Sequence, residues 1–443
     1  MVALPTSFVL RMQAQLGTEY PEFEQSFLKK PPTSIRTNPE KNHRMSGLPI
    51  PWCTHGLYIH ERPVFTLDPL FHGGTYYVQE ASSMLLEQAI KQTTEPDKPI
   101  VALDLCAAPG GKSTHLLSLL PKDSLLVCNE VIRSRATILA ENIQKWGYGN
   151  AVVTNNDPED FHSLKGLFDV VVIDAPCSGE GLFRKDENAC GEWSTENAEL
   201  CALRQQRILR SIWPSLKEGG VLIYSTCTYN PDENELNIKQ ILEGGDAENI
   251  SLSLNPDWGV VSLKNGYQCY PHRLEGEGFY LAAIRKISPS ETVHLRSKKD
   301  VARPGKGVAE SVRNWIHGSF LLRQHQDLII AIPEKHYLLI EFLSSVLKVI
   351  HRGTAIGIVK HEKIIPDHGL ALSIHLKKES FLQMSVSLEQ ARIYLKKDTF
   401  YQEHAAKGHA LVIYEDNPIG WVNLLGNRIN NLYPTEWRIR MSL

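Results

Sequence analysis

Two cysteines stand just after apolar, strand-like segments of the chain, fifty residues apart. Cys177 lies in DAPCSGEG (residues 174–181) after FDVVVI, and Cys227 lies in STCTY (residues 225–229) after GVLIY. Ligands of open α/β sheets bind at the carboxyl ends of parallel strands, so both thiols and the carboxylate of Asp174 are expected in one crevice.

This group of residues admits three interpretations: packing cysteines, a redox pair or a nucleophilic site. A redox pair requires sulfurs within bonding geometry, which neighbouring strand ends permit. That interpretation does not explain Asp174. A carboxyl group beside Pro176 and Cys177 suits the task of holding and protonating a pyrimidine ring nitrogen while a thiolate adds to the ring. Nucleophilic chemistry is therefore favoured, and the redox pair stays open.

A glycine turn upstream predicts a cofactor site next to the thiols. In CAAPGGK (residues 106–112), the glycines let the backbone approach a ligand closely, and the helix that follows offers free N–H groups. Glu130, about 20 residues after the turn, is placed to bind ribose hydroxyls, and Asp157 is placed to accept a hydrogen bond from an adenine amino group. This spacing fits adenosine.

The same loop has a second interpretation as a phosphate-binding loop. It misses the pattern GxxxxGK[ST] at one position, where Cys106 replaces the first glycine. Ala-Ala-Pro gives such a loop fewer open conformations than glycine does, and the strand-ending aspartate available for magnesium, Asp174, precedes Ala-Pro-Cys. A nucleotide triphosphatase is therefore the minor interpretation, and Lys112 is expected at a helix start near the cofactor.

The elements that must position these residues alternate between strand and helix, which indicates a parallel sheet covered on both faces. Residues 1–95, which precede them, combine helix-like and strand-like runs and are interrupted by prolines. Residues 287–306 have the composition of a linker, and short β-type runs follow at 355–359, 410–414 and 420–425. Strands are predicted at 101–105, 125–129, 151–154, 168–174, 221–225 and 279–285, and helices at 112–120, 133–146, 196–216 and 233–242.

Composition limits the class of protein. The chain has 443 residues, 42% hydrophobic and 22% charged, so about three globular domains are expected. No apolar run approaches the roughly 18 residues that span a bilayer, and no secretory signal is recognisable, so we expect a cytoplasmic protein. Eight cysteines without CxxC spacing or a zinc-type Cys/His cluster predict reduced thiols and no metal site.

The charge is unevenly distributed. Residues 286–443 hold 22 lysines and arginines against 15 aspartates and glutamates, a balance of +7, whereas the remainder of the chain has a balance of −10. The C-terminal part is therefore the expected contact for a polyanion, with a merely solvated basic surface as the alternative.

Four motifs carry a family resemblance. CAAPGGK, DAPCSGEG with FRKD (183–186), STCTYNPDENE (225–235) and HRLEGEGF (272–279) closely resemble the RNA cytosine-5 methyltransferases of the NOL/NOP/Sun family. The flanking segments LPTSFVLRM (4–12), PWCTHGL (51–57) and YVQEASSM (77–84) resemble the RsmF-like bacterial branch, which acts on ribosomal RNA. Residues 409–434 resemble the PUA-like RNA-binding unit of that branch.

The resemblance implies an α/β fold: a Rossmann-like, S-adenosylmethionine-dependent methyltransferase sheet with an N-terminal α+β domain and a mainly β, PUA-like C-terminal region. The implied domains are an N-terminal RNA-binding or methyltransferase-associated domain at 1–95, a catalytic domain at 96–287, a linker at 288–310 and a C-terminal RNA-binding region with a PUA-like unit at 311–443.

The resemblance also implies roles for single residues in methyl transfer from S-adenosylmethionine to carbon 5 of cytosine. Cys227 would be the nucleophile that adds to carbon 6, Cys177 would assist proton removal and product release, and Asp174 would hold the ring nitrogen. Lys185 would bind RNA, or is a solvated loop lysine; Arg135 would help Glu130, or is a surface residue. The implied cofactor-binding residues are Cys106, Ala107, Ala108, Pro109, Gly110, Gly111, Lys112, Glu130, Arg135, Asp157 and Asp174.

The implied partner is RNA, namely small-subunit ribosomal RNA or the assembling subunit, with no membrane and a monomeric protein. Two alternatives stay open: the same chemistry on transfer RNA, and an RNA-binding ribosome assembly factor whose methyltransferase activity is secondary. A DNA cytosine methyltransferase is disfavoured, since that fold lacks a second thiol in a Thr-Cys motif so placed.

Overall fold

The computed structural model describes residues 4–291, 302–360, 363–400, 406–426 and 428–441. Its helices are α1 Thr6–Leu16, α2 Tyr20–Ser26, α3 Pro69–His72, α4 Leu86–Thr93, α5 Gly111–Leu119, α6 Arg133–Trp146, α7 Glu187–Glu192, α8 Thr195–Ile212, α9 Glu235–Glu243, α10 Lys306–Arg313, α11 Tyr337–Val346, α12 His368–Leu372 and α13 Leu388–Leu395. Its strands are β1 Thr33–Thr37, β2 Leu48–Pro49, β3 Gly56–Ile59, β4 Tyr76–Val78, β5 Val101–Asp104, β6 Leu125–Asn129, β7 Ala151–Thr154, β8 Phe168–Asp174, β9 Leu216–Thr226, β10 Ala247–Asn249, β11 Val261–Leu263, β12 Gly266–Cys269, β13 Phe279–Lys286, β14 Phe320–His325, β15 Leu328–Pro333, β16 Val349–Arg352, β17 Thr354–Lys360, β18 Lys363–Pro366, β19 Leu382–Ser385, β20 Lys407–Tyr414, β21 Asn417–Leu425 and β22 Ile429–Asn431.

A ten-stranded sheet forms the centre of the molecule. Its order is β11-β12-β13-β9-β8-β5-β6-β7-β16, with β10 paired to β13. The strands from β9 to β7 are parallel, and β13 runs antiparallel to β9. Side chains of α4, α5 and α6 cover one face of this sheet, and side chains of α8, α9 and α11 cover the other. Burial on both faces explains the continuous apolar runs of the strands, and the predicted Rossmann-like α/β class is confirmed.

The predicted helix at 196–216 is wrong at its end. Helix α8 ends at Ile212, a 3-10 turn follows at Trp213–Ser215, and β9 begins at Leu216, five residues before the predicted strand. Pro214 lacks the N–H that another helical turn requires, which ends the helix there.

The N-terminal part combines a small sheet with two helices that lie against the catalytic region. The sheet has the order β2-β3-β1-β4. Helices α1 and α2 contribute Phe8 and Phe23 to a buried aromatic cluster that also contains Phe183 and Tyr229. Helices α1 and α2 therefore cover the loops that follow β8 and β9.

The C-terminal part contains more helix than its short β-type runs indicated. Two four-stranded sheets, β14-β15-β17-β18 and β19-β20-β21-β22, are accompanied by α10 to α13. Helix α10 occupies the end of the predicted 288–310 linker, whose residues 292–301 lie outside the described ranges. Within those ranges, every helix is too short or too polar to cross a lipid bilayer.

Strand β16 leaves the C-terminal part and joins the central sheet, antiparallel to β7. Helix α11 precedes it, and its residues Ile340 and Leu343 are fully buried in the cluster that contains Leu103 and Val127 of the central strands. The C-terminal part thus packs into the core of the central sheet, an arrangement that the sequence did not indicate.

Candidate active site

The two thiols predicted to share a crevice are in contact. Strands β8 and β9 are parallel neighbours with Asp174 opposite Ser225, so Cys177 and Cys227 follow at the same edge of the sheet. Their Sγ atoms lie 3.1 Å apart, beyond the roughly 2.05 Å of a disulfide, and both cysteines are free. The hydrogen bond to Cys227, together with burial, raises the pKa of Cys177 well above its usual range, so Cys177 keeps its proton.

Asp174 connects the end of β9, which leads to Cys227, with Lys112 at the end of the glycine loop. Its Oδ1 accepts a hydrogen bond from Ser225 Oγ at 2.9 Å, and its Oδ2 forms an ion pair with Lys112 Nζ at 2.9 Å. Burial on its own lowers the pKa of Lys112, but the nearby carboxylates of Asp174 and Asp104 raise it more, and the net pKa lies above the usual value. Lys112 is thus a permanent cation that holds the Asp174 carboxylate in place.

The glycine loop joins β5 to α5 and is held by α6. Gly110 has φ +114°, a left-handed conformation, and a Cβ there would lie 3.3 Å from Leu139 Cδ1. Arg135 Nη2 donates to the carbonyl of Ala108 at 2.8 Å, and Asn142 Nδ2 donates to that of Pro109 at 2.8 Å. The loop carbonyls are therefore satisfied by α6.

A cleft of about 160 Å³ opens between the glycine loop and the N-terminal part. A side chain on Gly111 would come within 3.3 Å of the Tyr77 ring across this cleft. The segment YVQEASSM was noted in the sequence for its family resemblance, and the structure places it as the wall opposite the loop. The cleft is lined by Tyr77, Val78, Gln79, Glu80, Ser83, Cys106, Ala107, Ala108, Pro109, Gly111, Lys112 and Asp174.

The other two predicted carboxylates follow neighbouring strands but do not line this cleft. Glu130 is buried; its Oε1 accepts from the Ile132 N–H at 2.9 Å, and Arg135 Nη1 lies 3.6 Å from its Oε2. Asp157 pairs with Arg207 at 3.2 Å and accepts from the Glu159 N–H at 3.0 Å. Arg135 therefore lies beside Glu130 as predicted, whereas the partner of Asp157 on α8 was not foreseen.

Lys185 is exposed. The side chain of its neighbour Arg184 is buried in a two-pronged ion pair with Glu277, at 2.9 and 3.1 Å. The loop that follows Cys177 therefore presents the Lys185 cation to solvent, while the cation beside it is fixed inside the protein.

Sequence reasoning missed Glu233, although it lies within the STCTYNPDENE motif. Its carboxylate is fully buried and accepts from Ser178 N–H at 2.8 Å, Ser178 Oγ at 2.5 Å and Gln205 Nε2 at 3.0 Å. Ser178 Oγ also lies 3.0 Å from Thr228 Oγ1. Burial raises the pKa of Glu233. This carboxylate ties the loop of one cysteine to the loop of the other.

Glu180 forms a second connection between the same loops. Its Oε2 accepts from the Tyr229 N–H at 3.1 Å, its Oε1 accepts from Trp193 Nε1 at 3.1 Å, and Arg11 of α1 lies 2.6 Å from that Oε1. The N–H of Gly181 donates to the carbonyl of Cys227 at 2.8 Å. Helix α1 is thereby linked to the position of Cys227.

Asp104, under the glycine loop, was also not predicted. It is fully buried, its Oδ2 accepts from Ser113 Oγ at 2.6 Å, and its Oδ1 lacks a partner among the described residues. Burial raises its pKa to about 7. Asp104 is therefore a carboxyl group whose charge changes near neutral pH, directly below the predicted cofactor site.

Metal-ligand side chains also meet away from the cleft. His115 Nε2 lies 3.1 Å from Glu87 Oε2 and 3.7 Å from Cys53 Sγ, all three residues being buried. Lys91 and Thr54 donate to the other oxygen of Glu87, so that carboxylate is already neutralised by an ammonium group. A buried hydrogen-bond network accounts for this cluster, and the absence of a metal site stays a prediction.

Three family models match the chain. The model described as "16S rRNA methyltransferase RsmB/F" matches residues 91–285, "N-terminal domain of 16S rRNA methyltransferase RsmF" matches residues 4–81, and "Methyltransferase RsmF PUA domain" matches residues 381–439. Together they cover the N-terminal part, the strands β5 to β13 of the central sheet with both cysteine loops, and the C-terminal sheet β19-β20-β21-β22.

Individual proteins agree with these matches. "Ribosomal RNA small subunit methyltransferase F" of Serratia proteamaculans is 31% identical over 88% of this chain and 84% of its own length. The protein of the same name from Aliivibrio salmonicida is 30% identical over 98% of both chains. The crystal structure of a "Methyltransferase Homolog Protein" from Pyrococcus horikoshii has a TM-score of 0.52 at 26% identity, covering 64% of this chain and all of that one.

Proposed function

The chain belongs to the RsmB/F family of 16S rRNA methyltransferases, and we propose that it methylates carbon 5 of cytosine in small-subunit ribosomal RNA. As a family member it is an S-adenosylmethionine-dependent RNA methyltransferase. The observation that supports the cytosine chemistry is the contact between two free thiols, 3.1 Å apart, at the edge of the sheet where β8 ends in Asp174.

Carbon 5 of cytosine is too weak a nucleophile to take a methyl group unaided. The thiolate of Cys227 adds to carbon 6, forming a C–S bond and giving the ring enamine character, so that carbon 5 can take the methyl group supplied by S-adenosylmethionine. The ring nitrogen takes up a proton as the thiolate adds, and Asp174, fixed by Lys112 and Ser225, holds the protonated nitrogen until that proton is lost on product release. The methylated adduct then loses its carbon 5 proton, and the C–S bond breaks to release the product.

The contact between the thiols supports a fixed order of events. In the free protein Cys177 keeps its proton, because its contact with Cys227 and its burial raise its pKa, and this favours Cys227 as the attacking sulfur. Addition to carbon 6 consumes the charge on Cys227 and removes a main cause of the high pKa of Cys177. Cys177 can then ionise and accept the carbon 5 proton. The two roles are therefore separated in time by the first step itself.

The cleft beside the glycine loop is assigned to one part of the cofactor, and the ends of β6 and β7 are assigned to the rest. The glycine loop at residues 106–112 leads into the N-terminus of α5, whose first N–H groups lack partners within the helix and can bind a ligand, and α6 holds the loop through the carbonyls of Ala108 and Pro109. Glu130 is assigned to the ribose hydroxyls, with Arg135 beside it, and Asp157 to the adenine amino group. These assignments require a ligand that extends from the cleft toward the ends of β6 and β7.

The choice of RNA rests on the relatives, whose names state small-subunit ribosomal RNA. Lys185 is assigned to the RNA because it is exposed on the loop that follows Cys177. Recognition of the assembling subunit, a monomeric state and a cytoplasmic location stay predictions.

The product of the reaction tests the proposal. Purified protein is incubated with methyl-labelled S-adenosylmethionine and either 16S ribosomal RNA or, in a parallel reaction, transfer RNA, and the RNA is digested to nucleosides for mass spectrometry. The label is expected in 5-methylcytidine. Label in a nucleoside methylated on an exocyclic nitrogen or a ribose oxygen would contradict the cytosine-5 assignment while leaving the family membership intact. Label on transfer RNA in place of ribosomal RNA would contradict the substrate.

A further inference from the structure

We propose that β16, which the C-terminal part contributes to the catalytic sheet, positions the cofactor-binding carboxylates, with Asn155 and Asn156 as the positioning residues. This inference rests on the proposed function, because it takes Glu130 and Asp157 as cofactor ligands. It assigns a part in methyl-donor binding to a segment more than 190 residues beyond these positions in the sequence.

Strand β16 is joined to the end of β7 by its own ladder and by the residues just beyond it. Val349 pairs with Thr154, and the pairing continues past the strand ends. Asn155 N–H donates to the carbonyl of Lys348 at 3.0 Å, Lys348 N–H donates to Asn156 Oδ1 at 3.0 Å, and Lys348 Nζ donates to Asn155 Oδ1 at 3.1 Å. The turn after β7 is therefore held from the side of β16.

The two asparagines pass this constraint to the carboxylates. Asn155 Nδ2 donates to the carbonyls of Glu130 and Val131, both at 2.9 Å. Asn156 Nδ2 donates to Asp160 Oδ2 at 2.8 Å, the same oxygen that accepts from the Asp157 N–H at 3.2 Å. Asn155 thus joins Lys348 to the backbone of Glu130, and Asn156 joins Lys348 to the backbone N–H of Asp157 through the carboxylate of Asp160.

The position of β16 is fixed by the core. Helix α11 precedes it with Ile340 and Leu343 fully buried, and Arg352 Nη1 donates to Ser344 Oγ of that helix at 2.6 Å. Without β16, β7 would become an edge strand with unpaired N–H and C=O groups. The turn that carries Asp157 would also lose its partners on Lys348.

Asn155→Ala tests this inference through cofactor affinity. It removes the two bonds to the Glu130 and Val131 carbonyls and the bond from Lys348 Nζ, and it leaves both thiols untouched. We expect the Kd and the KM for S-adenosylmethionine to rise about tenfold, because the backbone of Glu130 loses the hydrogen bonds that hold it in position. The kcat at saturating cofactor should stay within about twofold of the unmodified protein. Asn150→Ala, at the opposite end of β7, removes a comparable bond to the Ser124 carbonyl and should leave the Kd unchanged.

Asn155→Asp is a second variant of the same shape. It keeps an acceptor for Lys348 but has no N–H to donate to Glu130, so the same rise in Kd is expected even if Asn155→Ala does not fold. An unchanged Kd in the folded variants, or an equal rise in Asn150→Ala, would overturn the positioning role.

A double-mutant cycle separates this inference from the proposed function. If Asn155 acts through Glu130, Asn155→Ala should weaken binding much less in a Glu130→Ala background than in the unmodified protein. Full additivity would overturn the inference and leave the Glu130 assignment intact. A normal Kd for Glu130→Ala would contradict the cofactor assignment itself, whatever Asn155→Ala does.

Discussion

At the scale of single residues, the arrangement around the two thiols depends on buried carboxylates that face nothing but donors. Glu233 receives two hydrogen bonds from Ser178 and one from Gln205. An uncharged amide of the same shape can keep its oxygen on the Ser178 N–H and Gln205 only if its NH2 group faces Ser178 Oγ, which must then turn its own proton toward Thr228 Oγ1. The position of Cys177 therefore depends on a carboxylate that is six residues from the nearer cysteine, Cys227, in the sequence.

Glu233→Gln should accordingly lower kcat by at least tenfold, because the loop that carries Cys177 loses its fixed position, a loss of about 1.4 kcal/mol or more. The Kd for S-adenosylmethionine should stay within about twofold, since Glu233 does not contact the cleft. Glu243→Gln, at the exposed end of α9, is the control. A variant with reduced cofactor affinity and unchanged kcat would contradict this role.

Asp104 gives a prediction about pH. Its pKa is about 7 in the folded protein because of burial, against about 3.8 when unfolded. Between these values the folded protein holds a proton that the unfolded chain has lost. The stability that Asp104 contributes is therefore full below pH 4 and is lost as the pH rises to 7, at up to about 1.4 kcal/mol per pH unit.

Asp104→Asn cannot ionise and should lack this loss. In urea unfolding of the cofactor-free protein, the stability of Asp104→Asn relative to the unmodified protein should rise from pH 4 to pH 7 and then level off. Asp257→Asn, on an exposed turn, is the control. Parallel pH profiles for Asp104→Asn and the unmodified protein would show that folding does not raise the pKa of Asp104.

The placement of Cys177, Cys227 and Asp174 at one edge of the sheet could be predicted, because each lies in a short motif at a strand end and the two strands are neighbours. Asp104 and Glu233 could not, since their importance depends on burial and on partners such as Ser113 and Gln205 that no local pattern connects to them.

At the scale of elements, the turn into α5 depends on one backbone conformation. Gly110 has φ +114°, and the space beside it is limited by Leu139 and Asn142 of α6. Gly110→Val should destabilise the protein by about 1–3 kcal/mol and weaken S-adenosylmethionine binding by at least tenfold, because a β-branched residue both strains this conformation and moves the loop. Calorimetry with S-adenosylmethionine and thermal unfolding measure the two effects.

Gly191→Ala is the matched control for this substitution. Gly191 lies in helix α7, and a Cβ there meets no atom within 4 Å. Gly191→Ala should leave the affinity for S-adenosylmethionine unchanged. If Gly110→Val also left this affinity unchanged, the proposed role of the turn would be contradicted. ATP should not bind any of these proteins; magnesium-dependent ATP binding would favour the phosphate-loop interpretation instead.

The central strands could be predicted because strands buried on both faces have continuous apolar sequences. Strand β16 and helix α11 could not be assigned to the central sheet, since the apolar run from Tyr337 to Ile350 shows that a segment is buried but not what it is buried against. The C-terminal helices were missed for a related reason: α10 and α12 have eight and five residues, too few for a helical period to be recognised.

At the scale of the whole molecule, the three parts share cores. Val312 of α10 and Ile329 of the sheet β14-β15-β17-β18 are buried with Leu411 and Trp421 of the sheet β19-β20-β21-β22. Helix α11 lies in the core of the central sheet. The domain boundaries read from the sequence stay a prediction. Deleting residues 307–443 would uncover the catalytic core, so deletion cannot isolate the contribution of the C-terminal part to RNA binding.

Point substitutions test that contribution without disturbing the core. Four exposed cations lie in residues 407–440, in and after the sheet β19-β20-β21-β22: Lys407, Arg428, Arg438 and Arg440. Replacing all four with Gln should weaken RNA binding and reduce the slope of log affinity against log salt by about 0.7 for each phosphate group that these cations neutralise. A control with Lys98, Lys122, Lys239 and Lys264 replaced by Gln changes the net charge equally. Identical slopes in both variants would show that the C-terminal surface is merely solvated.

The ordered roles of the two thiols are the central claim, and trapping of the covalent adduct tests them most directly. Cys177→Ser retains the attacking thiol but loses the group that assists release, so a protein–RNA adduct should accumulate on a denaturing gel with labelled ribosomal RNA and S-adenosylmethionine. Cys227→Ser should form neither adduct nor 5-methylcytidine, because a serine hydroxyl is not ionised near neutral pH. An adduct in Cys227→Ser and none in Cys177→Ser would reverse the roles, and no adduct in either variant would contradict the two-thiol mechanism.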